Sequence, residues 1–156
     1  MSPLKTDADS LLAYLRNLYQ EKLPFNRVLG VSVRKLTTES VTVAFAMKAE
    51  LIGNPVQETL HGGVVSATLD ATGGLLASAS MVPALAGGEE QEIRQRFARV
   101  GTIDLRVDYL RPGRGRSFCA SAAVMRSGRK VAVTRMELVN DDDILIAVGT
   151  GTYSIG

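Results

Sequence analysis

The chain has 156 residues, a length that suits one domain with a sizeable core and is short for two independent ones. Its 46% hydrophobic and 22% charged residues are the proportions of a folded globular protein, which excludes disorder, and a net charge of +2 is too small to mark a nucleic-acid surface. A single cysteine, Cys119, and a single histidine, His61, exclude an internal disulfide and a closed Cys/His zinc site within one chain, so no metal is expected.

The N-terminal stretch MSPLKTDADS lacks the basic start and apolar run of a signal peptide, and no apolar run is long enough for a membrane span. The expected setting is cytoplasmic, without membrane or nucleic-acid partners. Thr6 and Asp9 make a capping-box pattern, and Leu11, Leu12, Leu15, Leu18, Tyr19 and Leu23 recur at helical spacing. Together they predict an amphipathic helix over 7–22, ended by Pro24. Residues 31–36 and 41–48 read as a hairpin about the polar turn 37–40, with Val41, Val43, Phe45 and Met47 alternating with smaller or polar residues. Residues 51–59, which include Gly53, Asn54 and Pro55, read as a loop.

Residues 58–80, ETLHGGVVSATLDATGGLLASAS, are nearly all small and apolar. Alternation does not fit Val64, Val65, Ala67, Leu69, Ala71, Leu75, Leu76 and Ala79, and the run is too long for a strand, so a helix is predicted over about 61–80. Being apolar nearly all round, it must be enclosed on most sides, as by a wrapping sheet. Gly73 and Gly74 each cost about 1 kcal/mol of helix propensity, which points to close packing against a neighbour. Residues 81–99, with Pro83, Gly87 and Gly88 before EEQEIRQRFARV, read as a short charged helix or a lid-like loop.

Four strands follow at about 101–110, 117–126, 130–139 and 144–154, joined by tight links at 112–116, 127–129 and 140–143. The order predicts an α+β fold in which an antiparallel sheet of about six strands curls around the central helix. Such a sheet leaves the far side of the helix partly open and an edge strand unpaired. A dimer would cover both.

Asp70 is an isolated acid within the apolar helix. A carboxylate buried without partners costs several kcal/mol, so Asp70 must have donors, face a cavity or carry a raised pKa. His61, Gly62 and Gly63 precede the first helical turn, where free backbone N–H groups and the helix dipole suit an anion or a developing oxyanion. An acid and such donors on one helix describe an acyl-transfer site, with the acid acting on the acyl carbon or on water. A G-x-S-x-G elbow is absent, and Cys119 lies in a strand of small residues, where it reads as a buried structural thiol. The arginines gather at Arg94, Arg96 and Arg99, at Arg111, Arg114 and Arg116, and at Arg126, Arg129 and Lys130, a pattern suited to a local anionic ligand.

The string from Asn54 through Leu60, His61, Gly62 and Gly63 to Asp70, followed by the strand GTIDLRVDYLRP (101–112), resembles the PaaI-like hotdog-fold acyl-CoA thioesterases and, among them, the bacterial YigI type. The likeness runs over nearly the whole chain. It implies hydrolysis of medium- and long-chain acyl-CoA without a cofactor, coenzyme A being part of the substrate, by a homodimer or a tetramer of two dimers. In such enzymes the acid matching Asp70 is the nucleophile or general base at the dimer interface. Gly62 matches the N–H that polarises the thioester carbonyl, His61 orients the loop, Gly63 adjoins the substrate, and Thr102 matches the hydroxyl that holds the attacking water. Asn54 resembles an asparagine that places substrate or water, but it stands seven positions before the histidine where many relatives have six, so Gln57 is an alternative for that role. The turn of Arg126, Gly128, Arg129 and Lys130 resembles the place where the nucleotide end of coenzyme A is bound, and guanidinium groups pair with phosphates in bidentate fashion.

Two other readings stand beside this one. A hotdog hydratase or dehydratase needs an acid followed by a histidine, whereas here the only histidine precedes Asp70. A non-enzymatic acyl-CoA sensor of the repressor type needs a DNA-binding domain, which one N-terminal helix does not supply.

Overall fold

The computed structural model describes residues 3–156; Met1 and Ser2, the first two residues of the N-terminal stretch without signal-peptide character, lie outside the described residues. Helix α1 spans Ala8–Asn17. Its cap is Asp7, whose carboxylate accepts from the Ser10 N–H at 3.0 Å, so the predicted pairing of Thr6 with Asp9 gives way to a cap one residue later. Leu11 and Leu15 are fully buried. The predicted helix continues to residue 22, but its last turn, Leu18–Lys22, is a π turn closed by the Leu23 N–H on the Leu18 carbonyl at 3.0 Å. Pro24 does more than end it. With Leu23 extended, Pro24 opens a second helix, α2 (Pro24–Leu29), at the position where its missing N–H costs nothing.

Strands β1 (Ser32–Leu36) and β2 (Ser40–Ala46) form the expected hairpin, with Val41, Val43 and Phe45 turned into the core. Part of the predicted loop is a miniature hairpin of β3 (Ile52–Asn54) and β4 (Thr59–Leu60). Its end is tied down: the Leu60 N–H donates to the Gly113 carbonyl at 3.0 Å and the His61 N–H to the Leu51 carbonyl at 2.8 Å. These bonds fix where the central helix α3 (Gly62–Ser80) starts. Residues 81–99 form two short helices, α4 (Val82–Leu85) and α5 (Glu90–Ala98), joined by a turn at 86–89. Ile93 and Phe97 bury the inner face of α5, and Phe97 stacks on Tyr14 at 6.0 Å, which binds α5 to α1.

The remaining strands are β5 (Gly101–Tyr109), β6 (Ser117–Ser127), β7 (Val131–Asn140) and β8 (Leu145–Ser154). The sheet is antiparallel throughout, in the order β1-β2-β6-β7-β8-β5, and packs around α3 in the hotdog arrangement. Alanines at 120, 122 and 132 are buried where the sheet meets the helix, and their small size lets the two approach closely. The other side of α3 is partly covered within the chain. Helices α1, α2 and α4 pack on it, so residues 72–79 are buried without a second copy, contrary to the expected opening. The first half of α3 remains half-buried at Val64, Ser66, Ala67, Asp70 and Ala71.

The two glycines of α3 differ. A methyl on Gly73 would collide with the Tyr153 hydroxyl and stand 2.8 Å from Thr134 Oγ1, whereas one on Gly74 would meet Tyr153 and Tyr19 at 3.5 Å, an ordinary contact. Only Gly73 is demanded by close packing. Cys119 points to the outer face of the sheet, between the inward Phe118 and Ala120, and is half-buried there rather than a core thiol. Burial pushes its thiol pKa up, which keeps it protonated and unreactive. Among the described residues no helix is long and apolar enough to cross a membrane.

Candidate active site

Asp70 sits near the middle of α3, half-buried, and its Oδ1 accepts a hydrogen bond from Thr102 Oγ1 at 2.9 Å. Two of the three predicted solutions for an acid on an apolar helix therefore hold together: it has a donor and it faces a cavity. That cavity is a cleft of about 230 Å³ lined by Tyr19, Leu23, Asn26, Gly74, Val100 and Thr102, among others. Thr102 spends its proton on Asp70, which leaves its oxygen lone pairs for a water. The main chain of Asp70 is held as well, since the Tyr153 hydroxyl donates to its carbonyl at 3.2 Å. Burial, then the negative charge of Asp70, push the Tyr153 phenol pKa up, so it stays a neutral donor.

On the opposite wall, the Tyr19 hydroxyl lies 3.3 Å from Ser78 Oγ, and Ser78 itself donates to the Gly74 carbonyl at 3.0 Å. Tyr19 is then the donor of the pair, and burial pushes its pKa up. Asn26, buried, donates to the Tyr19 carbonyl at 2.9 Å and joins α2 to the π turn.

A second cluster surrounds the start of α3. His61 is the N-cap, and its Nδ1 accepts from the Gly63 N–H at 2.8 Å, so that nitrogen carries no proton. The Tyr109 hydroxyl donates to the Gly62 carbonyl at 2.9 Å. One peptide group, between Gly62 and Gly63, is thus held at both its oxygen and its nitrogen. Of the backbone N–H groups expected to be free here, that of His61 donates to the Leu51 carbonyl and that of Gly63 to His61, which leaves that of Gly62. Among the described residues the Gly62 N–H has no acceptor, and it borders a separate cleft of about 340 Å³ with Tyr109, Arg111 and Pro112. Gly63 contributes its missing side chain, because a methyl there would stand 3.0 Å from His61 Nδ1.

Gly62 and Asp70 do not meet within one chain. Eight residues of helix place them about 12 Å apart along the axis, in two clefts. Asn54 and Gln57 border neither. Asn54 Oδ1 accepts from the Val56 and Gln57 N–H groups at 3.0 and 3.1 Å and so shapes its own turn, while Gln57 Oε1 accepts from Arg114 at 3.1 Å.

Most arginines of the first two clusters serve the fold: Arg94 pairs with Glu90, Arg116 with Asp141, and Arg96 and Arg111 donate to the carbonyls of Ile155 and Leu145. Arg126, Arg129 and Lys130 differ. They are exposed, Arg126 near the end of β6 and Arg129 and Lys130 on the β6–β7 turn, which the Gly128 N–H closes on the Val131 carbonyl at 2.9 Å, and among the described residues no carboxylate pairs with them. Val131 pairs with Ser154 and Ser154 with Gly101, so this turn lies at the Thr102 end of the sheet, two strand spacings or about 10 Å away. No group of three or more His, Cys, Asp or Glu residues among those described is placed to hold a metal ion.

Sequence reasoning missed Tyr19, Asn26, Tyr109 and Tyr153. Tyr109 and Tyr153 read there as strand residues and Tyr19 as one of a helical stripe; only the folded contacts bring their hydroxyls to α3.

Residues 57–147 match the family described as the Thioesterase superfamily. Over 149 residues the chain is 42% identical to the medium/long-chain acyl-CoA thioesterase YigI of Escherichia coli K12, with 96% of each chain covered. A solved structure from Shewanella oneidensis, of a protein related to the thioesterase superfamily, is 44% identical and superposes with a TM-score of 0.90 over 96% of this chain and 97% of that one. A thioesterase family protein from Silicibacter pomeroyi, 24% identical, shares the fold with a TM-score of 0.72 over 93% of this chain and 99% of that one. With its family match, its identity to these proteins and a sheet wrapped around a glycine-started helix, this chain belongs to the thioesterase superfamily.

Proposed function

We propose that this protein hydrolyses medium- to long-chain acyl-CoA thioesters to free fatty acid and coenzyme A, without a cofactor, as a homodimer able to pair further into a tetramer. The single observation that carries the reading is the placement of two complementary half-sites at opposite ends of one unpaired edge strand. β5 lies at the edge of the sheet, with Thr102 beside Asp70 at one end and Tyr109 beside Gly62 at the other. If two copies pair antiparallel through β5, the Asp70 end of one faces the Gly62 end of the second. The 12 Å gap within one chain then becomes a closed site between two.

In that site the Gly62 N–H donates to the thioester carbonyl and stabilises the oxyanion as charge develops on it. Thr102 holds a water, Asp70 takes its proton, and the hydroxide adds to the acyl carbon; the tetrahedral intermediate collapses by breaking the C–S bond, and the thiolate of coenzyme A takes up a proton. Water attack is preferred to attack by Asp70 itself because Thr102 already occupies one carboxylate oxygen and presents lone pairs beside it. Arg126, Arg129 and Lys130, free of intrachain carboxylates, suit the phosphates of coenzyme A.

The test is a free-thiol release assay over a panel of acyl-CoAs with Asp70→Asn beside the unaltered protein. The variant is expected to lose about 10²- to 10⁴-fold in kcat, with its fold unchanged by circular dichroism; full activity would remove Asp70 from the chemistry. In a single turnover in ¹⁸O-water, direct water attack leaves Asp70 unlabelled, and label appearing in Asp70 would show attack by the carboxylate through an anhydride opened at the Asp70 carbonyl.

A further inference from the structure

Granted acyl-CoA hydrolysis at Asp70, the acyl tail needs a place. A second cleft of about 370 Å³, between α1 and α5, adjoins the one at the carboxylate: Tyr19, Leu23 and Val100 border both. The further walls of the second cleft include Leu15, Leu18, Ser78, Phe97 and Ala98. The two abut at Tyr19, sharing these three side chains as a common wall. From Asp70 to Ser78 the helix rises about 12 Å, the reach of a medium-length acyl chain.

Three observations mark this as a passage shaped for an apolar tail. Its polar wall groups are already satisfied, since the Ser78 hydroxyl bonds the Gly74 carbonyl and Tyr19 bonds Ser78, so a hydrocarbon leaves none of them unpaired. The π turn Leu18–Lys22 coincides with the junction: Leu18 borders the distal cleft, Tyr19 borders both, and the carbonyl of Tyr19 is taken by Asn26 at 2.9 Å. π turns of this kind recur at functional positions in helices. The outer end is braced by the stack of Tyr14 on Phe97, with Arg94 5.3 Å from the Tyr14 ring and paired to Glu90.

We propose that this passage binds the acyl tail, with Tyr19 as its constriction and Leu18 and Ala98 among the side chains that set how long a tail it accepts. Chain-length preference then resides in the protein's own N-terminal helix and α5, not in the residues that carry the chemistry. Each methylene lodged in the passage raises kcat/KM about fourfold.

The test uses Ala98→Trp, at an exposed position that tolerates bulk, and Leu18→Ala, which widens the distal cleft. For each, kcat/KM is measured from hexanoyl- to stearoyl-CoA, and Kd for the same panel is measured on the Asp70→Asn background. Ala98→Trp is expected to lower the palmitoyl-to-hexanoyl ratio by about tenfold or more, as two or more methylenes are excluded, and Leu18→Ala to move the optimum to longer tails. Turnover with a length profile that neither variant moves overturns the passage and leaves the hydrolase reading intact. Length-dependent binding that the variants shift, without turnover of any acyl-CoA by the unaltered protein, keeps the passage and overturns the hydrolase reading. Neither turnover nor length-dependent binding overturns both.

Discussion

At the scale of single residues, the half-sites are set by tyrosines as much as by the acid. Tyr109 holds the Gly62 carbonyl while His61 holds the next N–H, and that double restraint aims the unpaired Gly62 N–H. Tyr109→Phe removes one neutral hydrogen bond, worth about 0.5–1.5 kcal/mol. If that loss falls on the oxyanion, kcat drops about two- to tenfold with KM little changed, as steady-state kinetics would show; a change confined to KM would assign Tyr109 to substrate contact. Asp70 itself was conspicuous from sequence, because an acid on an apolar helix demands a reason. Its donor Thr102 is 32 residues away, and only the family resemblance pointed to it. Asn54 shows the opposite case: its side chain shapes the turn in which it stands, a local use that fits turn chemistry without any ligand.

At the scale of elements, periodicity located the central helix to within a residue of its start, since an apolar run of that length fits no strand. It could not tell Gly73 from Gly74, which differ only in what the folded sheet places opposite them. Gly73→Ala is expected to destabilise by about 1–3 kcal/mol through overpacking against Tyr153. Gly74→Ala gains up to about 1 kcal/mol of helix propensity. Chemical denaturation of both variants checks the contrast, and equal effects would refute the packing argument. The short helix α2 was missed because Pro24 was read only as a helix stop, although proline at a first helical position is also a start.

At the scale of the whole molecule, two properties depend on how the elements enclose one another. Tyr19 and Tyr153 both have pKa values raised by burial above the ordinary value of 10.0. Below about pH 10 they are protonated in folded and unfolded chains alike, and stability is undiminished. Above it the unfolded chain releases their protons while the folded chain retains them, so stability falls as pH rises. Denaturant midpoints between pH 8 and 11 should show this, and Tyr153→Phe should flatten the decline; an unaltered slope would contradict the assignment.

The second property is association. Ile103 is 59% exposed on the open edge strand β5, beside Thr102 at the Asp70 end of the proposed interface. Ile103→Glu is expected to yield folded monomers by analytical ultracentrifugation with thioesterase activity lost, because the Asp70 and Gly62 half-sites part; a monomer with full activity would show that one chain suffices.

By itself the sequence determined the α+β class, the six strands, the central helix and the suspicion attached to Asp70, His61 and Gly62. Those follow from periodicity, turn chemistry and the cost of burying charge, all of which act over a few neighbouring residues. Tertiary structure decided the rest: that Thr102 reaches Asp70, that Tyr109 restrains Gly62, that α1 covers the second half of α3, and that the Asp70 cleft shares Tyr19, Leu23 and Val100 with a second cleft against α5. Each of these joins residues far apart in the chain, and strand order and helix packing, not local propensity, bring such residues together.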